Sequence, residues 1–342
     1  LYEILFALFG DFNYRPAKIL HVVWWILTIL AGYGFLKLNT DRPVFRVLYC
    51  VMMLGCFPFL FYLPYIYGDV LGISFGTILF YGVAAYEHSG QKRYIVLSAF
   101  AAGLAILARK NTWILLAAVA VYALLVSFRK QKARYLLAGT AILLTAALSV
   151  KAVDVIYEVR SGYPSGVGIP SILWVAMGLQ ETEGRAGVYN RYQQATFADC
   201  DFQQELAAQQ GKEYILERLE EFSQDPGKAF RFFKNKLEGQ WIEPMYAALE
   251  TTESFEEGTE LTPVLESLYY GELGRAAWNF SNYYQSILYF SGLVALVMLG
   301  KQWWKKKEIP TALWLPWIAV FGGFLFSILW EAKSRYVFPY CV

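Results

Sequence analysis

Long apolar runs dominate this chain, broken by short polar clusters. Runs at roughly 17–36, 44–63, 70–86, 94–108, 112–128, 135–153, 284–300 and 310–330 approach the ~20 residues that a helix needs to cross a bilayer. The pattern predicts an all-α, polytopic transmembrane helix bundle with about eight spans. The shorter runs leave room for tilted, interfacial or broken segments. Between residues 154 and 283 the pattern changes and reads as a polar insert, which divides the chain into 1–153, 154–283 and 284–342. The insert opens with "SGYPSGVGIPSILWVAMGLQETEGRAGVYN", rich in glycine and proline and read as loop and turn. "DFQQELAAQQGKEYILERLEEFSQ" then places Leu206, Tyr214, Ile215, Leu219 and Phe222 on one helical face, with a weak point at Gly211. "DPGKAFRFFKNKLEGQW" offers Asp225 as N-cap and Pro226 at the first helical position, with a stripe of Phe230, Phe233, Leu237 and Trp241.

Charge adds an orientation. Of the 28 acidic residues, 21 lie between 154 and 283 against 10 of the 30 basic ones, so the insert carries −11 and the remainder +13. The cations cluster in "KLNTDR" (37–42), "EHSGQKR" (87–93), "RKQKAR" (129–134) and "KQWWKKKE" (301–308), which fall on alternate connections. Positive residues mark the cytoplasmic side, so these four loops are expected inside and the chain is expected in the plasma membrane as a multi-pass protein. The other connections, including the insert, are then extracytoplasmic. Asp69, Arg109, Lys110, Glu331, Lys333 and Arg335 are expected together at that outer face. The plain alternative is that outer loops must contain something polar. The basic residues sit in short loops and form no groove-sized patch, which argues against nucleic acid as a partner.

Composition fits the membrane reading: 57% of residues are hydrophobic and 17% charged, against about 45–50% and 25% in soluble domains. Candidate chemistry is sparse. His21 and His88 fall on opposite sides of the expected membrane, and no zinc-protease, serine-hydrolase or paired-cysteine pattern occurs. The "GVG" of the insert lacks the lysine and the preceding strand of a phosphate loop. What remains is a set of carboxylates and cations among aromatics. "YIYGD" carries Tyr67 and Asp69; "ILARKNTWILL" carries Arg109, Lys110 and Asn111. A guanidinium fork and a mobile ammonium suit phosphate oxygens, although two cations at a helix end can also simply snorkel to the interface. "WEAKSRY" places Glu331 and Arg335 four apart, the spacing of a helical ion pair, and Tyr336 follows.

An outer carboxylate after an apolar run, an Arg-Asn break in a later span and a large insert are joined by a closing "E-x-x-x-R-Y-x-x-P" (Glu331, Arg335, Tyr336, Pro339). Together they resemble the GT-C membrane glycosyltransferases, in particular the family-39-like branch of protein mannosyltransferases and lipid A aminoarabinose transferases. "WVAMGLQETEGRAGVYN" and "DPGKAFRFFKNKLEGQWIEPMY" are similar to segments of multi-span proteins of this type from Gram-positive bacteria. The resemblance implies sugar transfer from a polyprenyl-phosphate donor to a cell-envelope acceptor, with the lipid bilayer as surroundings. It firmly implies no cofactor and leaves a divalent metal open. It casts Asp69 and Glu331 as catalytic carboxylates, Arg109, Lys110 and Arg335 as phosphate contacts, and Tyr67, Asn111 and Tyr336 as pocket residues. In that family the principal acid lies in the first outer loop, so the chain, which begins Leu1-Tyr2 and stops at Val342 within an apolar stretch, reads as a fragment truncated at both ends, with that loop before residue 1. A transporter or flippase of lipid-linked sugars is the competing class, and a non-catalytic envelope assembly protein a third.

Overall fold

The structure, a computed structural model, describes residues 2–166, 168–253, 261–305 and 310–342. The end of "KQWWKKKE" (306–308) and the middle of "GVG" lie outside the described residues. Among the described residues the fold is all-α, with one hairpin of two-residue strands. The first helices in chain order are α1 (Tyr2–Phe9), α2 (Arg15–Asn39), α3 (Pro43–Leu54), α4 (Phe57–Tyr62), α5 (Gly68–Ser89), α6 (Arg93–Ala108), α7 (Trp113–Lys130) and α8 (Arg134–Ser161). Then follow α9 (Ile172–Gly178), the antiparallel pair β1 (Glu181–Thr182) and β2 (Arg185–Ala186), α10 (Tyr192–Asp199), α11 (Gln204–Gln224) and α12 (Pro226–Trp241). The chain ends with α13 (Ala248–Glu253), α14 (Pro263–Tyr270), α15 (Glu272–Trp304) and α16 (Trp314–Leu329).

Among the described residues, six helical segments are long and apolar enough to cross a membrane: Arg15–Asn39, Gly68–Ser89, Lys110–Lys130, Arg134–Ser161, Glu272–Gln302 and Thr311–Leu329. The helix Pro43–Leu54, at 12 residues, rises only about 18 Å against a hydrocarbon core of about 30 Å. The expected span over 44–63 is therefore corrected to a broken one. Pro58 has no amide hydrogen to bond back to residue 54 and sits in the first turn of α4, where that lack costs nothing, so the run stops at Leu54 and restarts as α4.

The chain forms two compact units, one of residues 1–152, 248–322 and 339–342, the other of 153–247 and 323–338. The division runs through α8 and α16, and α15 begins at Glu272, before the expected span at 284.

The first unit is organised around α5, of whose apolar window 72 % is buried against 22 % for α2. Hydroxyls and small residues make its contacts, as they do where apolar surroundings give helices no hydrophobic reason to associate. Thr28 of α2 donates to Ser74 of α5 at 2.7 Å, and Ser74 also bonds the Val70 carbonyl. On another edge Gly68, Gly72 and Gly76 recur every fourth residue. A Cβ built at Gly68 would stand 1.9 Å from the Ala108 carbonyl oxygen, and one at Gly76 2.5 Å from Leu115. At the far end of α5, Glu87 pairs with Lys130 at 2.8 Å and accepts from Tyr122. A polar cleft of about 670 Å³ there is lined by Asn39, Asp41, Glu87, His88, Arg129 and Thr311, among others. Loops from three of the four cation-rich connections thus meet at one end of this unit.

In the second unit, Leu173 of α9 packs on α11 at Gly211, where an added Cβ would meet its Cδ2 at 2.8 Å. Gly211 is thus a contact point rather than a weakness. Ile215 and Phe222 join a core with Leu179, Ala186 and Phe232, whereas Leu206 and Leu219 of the expected face are exposed. Asp225 caps α12 as expected, accepting from the Lys228 amide at 2.9 Å. Of the expected stripe on α12, Phe233, Leu237 and Trp241 are half-buried and Phe233 joins that core, whereas Phe230 is exposed; the fully buried residues of the helix are Phe232, Lys236 and Gln240.

Replacing Gly68 by alanine forces its methyl against the Ala108 backbone, which cannot rotate away. We expect a loss of about 3 kcal/mol or more, at or beyond the upper end of ordinary overpacking. Thermal unfolding in mild detergent, with Gly300→Ala as an open-space control, checks it.

Candidate functional site

Asp69 stands in the first turn of α5, where the exposed amides of the helix start favour a carboxylate. Gly68 lets that turn approach the end of α6 closely enough for Arg109 to reach it. Arg109 is the residue at which α6 stops; its backbone is extended, and its carbonyl accepts from both the amide and the hydroxyl of Thr112. The guanidinium then turns to Asp69, with Nη2 2.9 Å from Oδ1, the carboxylate 4 % exposed and the arginine side chain 14 %. Tyr67 completes the group, its ring centroid 5.0 Å from the Arg109 Cζ, and Tyr65 stacks on Tyr67 at 5.5 Å.

Three of the residues singled out in the sequence, Tyr67, Asp69 and Arg109, thus come from two stretches forty residues apart into one cluster, with Asp69 buried, Arg109 half-buried and Tyr67 exposed. Lys110 is exposed and Asn111 half-buried in the short turn Lys110–Thr112 that follows. Pairing changes what the cluster can do. A carboxylate bound to a guanidinium is a poor proton acceptor, and its contribution is to fix the plane of the arginine fork. The arginine in turn presents a planar set of donors that matches phosphate oxygens.

The other candidates lie in the second unit. α16 ends at Leu329, so Glu331 and Arg335 do not share a helix, and the expected helical ion pair is corrected. Beyond Leu329 the chain runs extended. Ala332 bridges Val188, with its amide donating to the Gly187 carbonyl at 2.6 Å, and Ser334–Tyr336 form a short turn. Glu331 is 4 % exposed. Its Oε1 accepts from the Tyr336 hydroxyl, while Oε2 is buried and has no hydrogen-bond partner among the described residues. Arg335 is buried as well. Aromatic rings surround this stretch: Trp330 stacks on Trp174 at 6.3 Å and on Phe326 at 5.4 Å, and Phe326 meets Tyr336 edge-on at 6.4 Å.

One buried group escaped the sequence reading. Lys236 of α12 is fully buried and donates to the carbonyls of Gly178 and Ile328. Burial pushes its pKa down to about 7. Its only sequence signal was a lysine amid the aromatics of "FRFFKNKLEGQW". On the surface of the same unit, hydrogen bonds from Lys228 and then Arg218 hold the Glu221 carboxyl below its usual range.

Among the described residues no three His, Cys, Asp or Glu side chains come together as a metal-holding group. No family model, curated protein or solved structure matches the chain.

Removing one partner of the Asp69–Arg109 pair leaves a buried charge alone. Arg109→Met should cost about 3–5 kcal/mol. The double variant Asp69→Asn/Arg109→Met should recover more than half of that loss, because it removes both charges together. Chemical denaturation of the four proteins of this cycle checks the expectation.

Proposed function

We propose that this chain is an integral-membrane glycosyltransferase that moves a sugar from a polyprenyl-phosphate-linked donor to a cell-envelope acceptor, at the outer face of the plasma membrane. The observation that carries the reading is the guanidinium of Arg109, held by Asp69 at the end of an apolar helix long enough to span a bilayer. A buried ion pair contributes little net stability compared with well-packed apolar side chains. A preoriented cation at a membrane-spanning helix end suits a lipid phosphate.

Transfer breaks the bond between the sugar C1 and the phosphate oxygen and forms one from C1 to an acceptor oxygen. The phosphate leaves with an extra negative charge and the acceptor hydroxyl gives up its proton. Arg109, with Lys110 beside it, is assigned the leaving phosphate, where donors aimed at developing charge have their largest effect. Asp69 is assigned the orientation of Arg109 and not proton transfer. In the second unit, Glu331 has one buried oxygen without a hydrogen-bond partner among the described residues, and it is assigned separately to accept a hydrogen bond from a hydroxyl. Tyr336 and Arg335 are assigned to the support of Glu331.

The test is release of polyprenyl phosphate from a panel of polyprenyl-phosphate hexoses and pentoses, by purified protein in liposomes with a cell-envelope acceptor fraction. Arg109→Lys keeps the charge and loses the fork, and should lower kcat/KM by about 10²–10³-fold. Asp69→Asn should act in the same direction and Glu331→Gln should lower kcat. No release by the wild type across the panel would remove the enzymatic reading. Unchanged rates in all three variants would remove these assignments.

A further inference from the structure

Among the described residues no carboxylate pairs with Lys236, yet it is the most deeply buried lysine. Its ammonium lies 2.5 Å from the carbonyl oxygen of Gly178, the last residue of α9, and 2.9 Å from that of Ile328, the last but one of α16. Both carbonyls belong to final helical turns, where no intrahelical amide is available and the helix dipole presents its negative end. The same face of α12 continues the grip. Gln240 donates to the Ser327 carbonyl at 3.0 Å, and the Trp241 indole donates to the Ser327 hydroxyl at 3.2 Å. Gly187 closes the group from the hairpin side: a Cβ there would stand 2.8 Å from both the Gly178 oxygen and the Lys236 Cε. Its own carbonyl holds the Ala332 amide. Glu331 therefore sits in a three-residue stretch pinned at 328 by Lys236 and at 332 by Gly187.

We propose that Lys236 is a positioning residue whose charged amine clamps the ends of α9 and α16 together and thereby sets the place of Glu331. This rests on the role given to Glu331 above.

Stability does not explain the lysine. The unfolded chain holds this proton more tightly than the folded one, so the group costs stability below its lowered pKa of about 7. That cost fades as pH rises from there towards the ordinary lysine value of 10.5. An apolar side chain of similar length would avoid it. The charged neighbours do not offset it either. α9 contributes none. Glu181, Glu183 and Arg185 of the hairpin are exposed, Lys234 and Glu238 of α12 pair with each other, and Glu331 is engaged by Tyr336. Lys333 and Arg335 add charge of the same sign, and burial alone sets the direction of the shift. The clamp consequently exchanges its proton near neutrality. The neutral amine still has two hydrogens for its two carbonyls but no charge to set against the helix ends.

The clamped elements carry their own reporter, since Trp174 lies on α9 and Trp330 directly follows α16, stacked with 8° between ring planes. Near-UV circular dichroism of the full chain in detergent, with Trp174→Phe identifying the pair's signal, should show a pH step with a midpoint near the lysine value of about 7. Lys236→Met should lose that step and unfold at a higher temperature at neutral pH. In the transfer assay it should lower kcat on the order of 10²-fold with KM unchanged, the cost of a slightly misplaced group. A step that persists in Lys236→Met, or a variant that keeps both the wild-type Trp signal and full kcat, overturns the clamp. Should Lys236→Met not fold, Gly187→Ala, which presses on the lysine methylenes, must move the same midpoint; an unmoved midpoint also overturns it. A wild type without transfer activity would sink only the role of Glu331, because the Trp signal still decides the clamp.

Discussion

A helix that ends away from water leaves amides unpaired at its start and carbonyls unpaired at its finish, and both need partners. In this chain buried charges of the favourable sign lie at such ends. Asp69 lies at the start of α5, and Lys236 meets the last carbonyls of α9 and α16. Each charge is also tied to something further. Asp69 holds Arg109, and the lysine sits on the backbone that leads to Glu331.

These groups are reached only because glycines let backbones close in. Gly68 admits the Ala108 carbonyl, and Gly187 admits the lysine side chain. Neither contact is favourable by itself. Each brings a polar group into hydrogen-bond range of its partner, and the gain lies in not leaving that partner buried and unsatisfied. The candidate site is thus built from close packing first and charge second.

Pairing also revises the chemistry. Read singly, Asp69 is a carboxylate that could take a proton and Arg109 a cation that could hold a phosphate. Read together, the acid becomes the support of the cation. Glu331 in turn loses its expected helical partner because α16 ends two residues before it. Spacing of four implies a shared face only where the helix continues, and the extended pairing with Val188 ends that.

Apolar periodicity determined the all-α class, the positions of most long helices and the capped start of α12, since these depend on local hydrophobicity and on side chains within a few residues. The break before Pro58 and the glycine repeat at 68, 72 and 76 rest on equally local chemistry, although apolar periodicity alone read 44–63 as one run and passed over the glycines. Which residues of α12 are most deeply buried was not legible. Periodicity assigns the inward face to apolar residues, whereas Lys236 and Gln240 are drawn in by carbonyls of α9 and α16 more than fifty residues away in sequence. The Asp69–Arg109 pair was equally beyond a reading of the sequence, because nothing local in "YIYGD" or "ARKN" says which loop the other will meet. Those partners are set by tertiary packing, which brings distant helix ends close enough for their unpaired backbone groups to be satisfied.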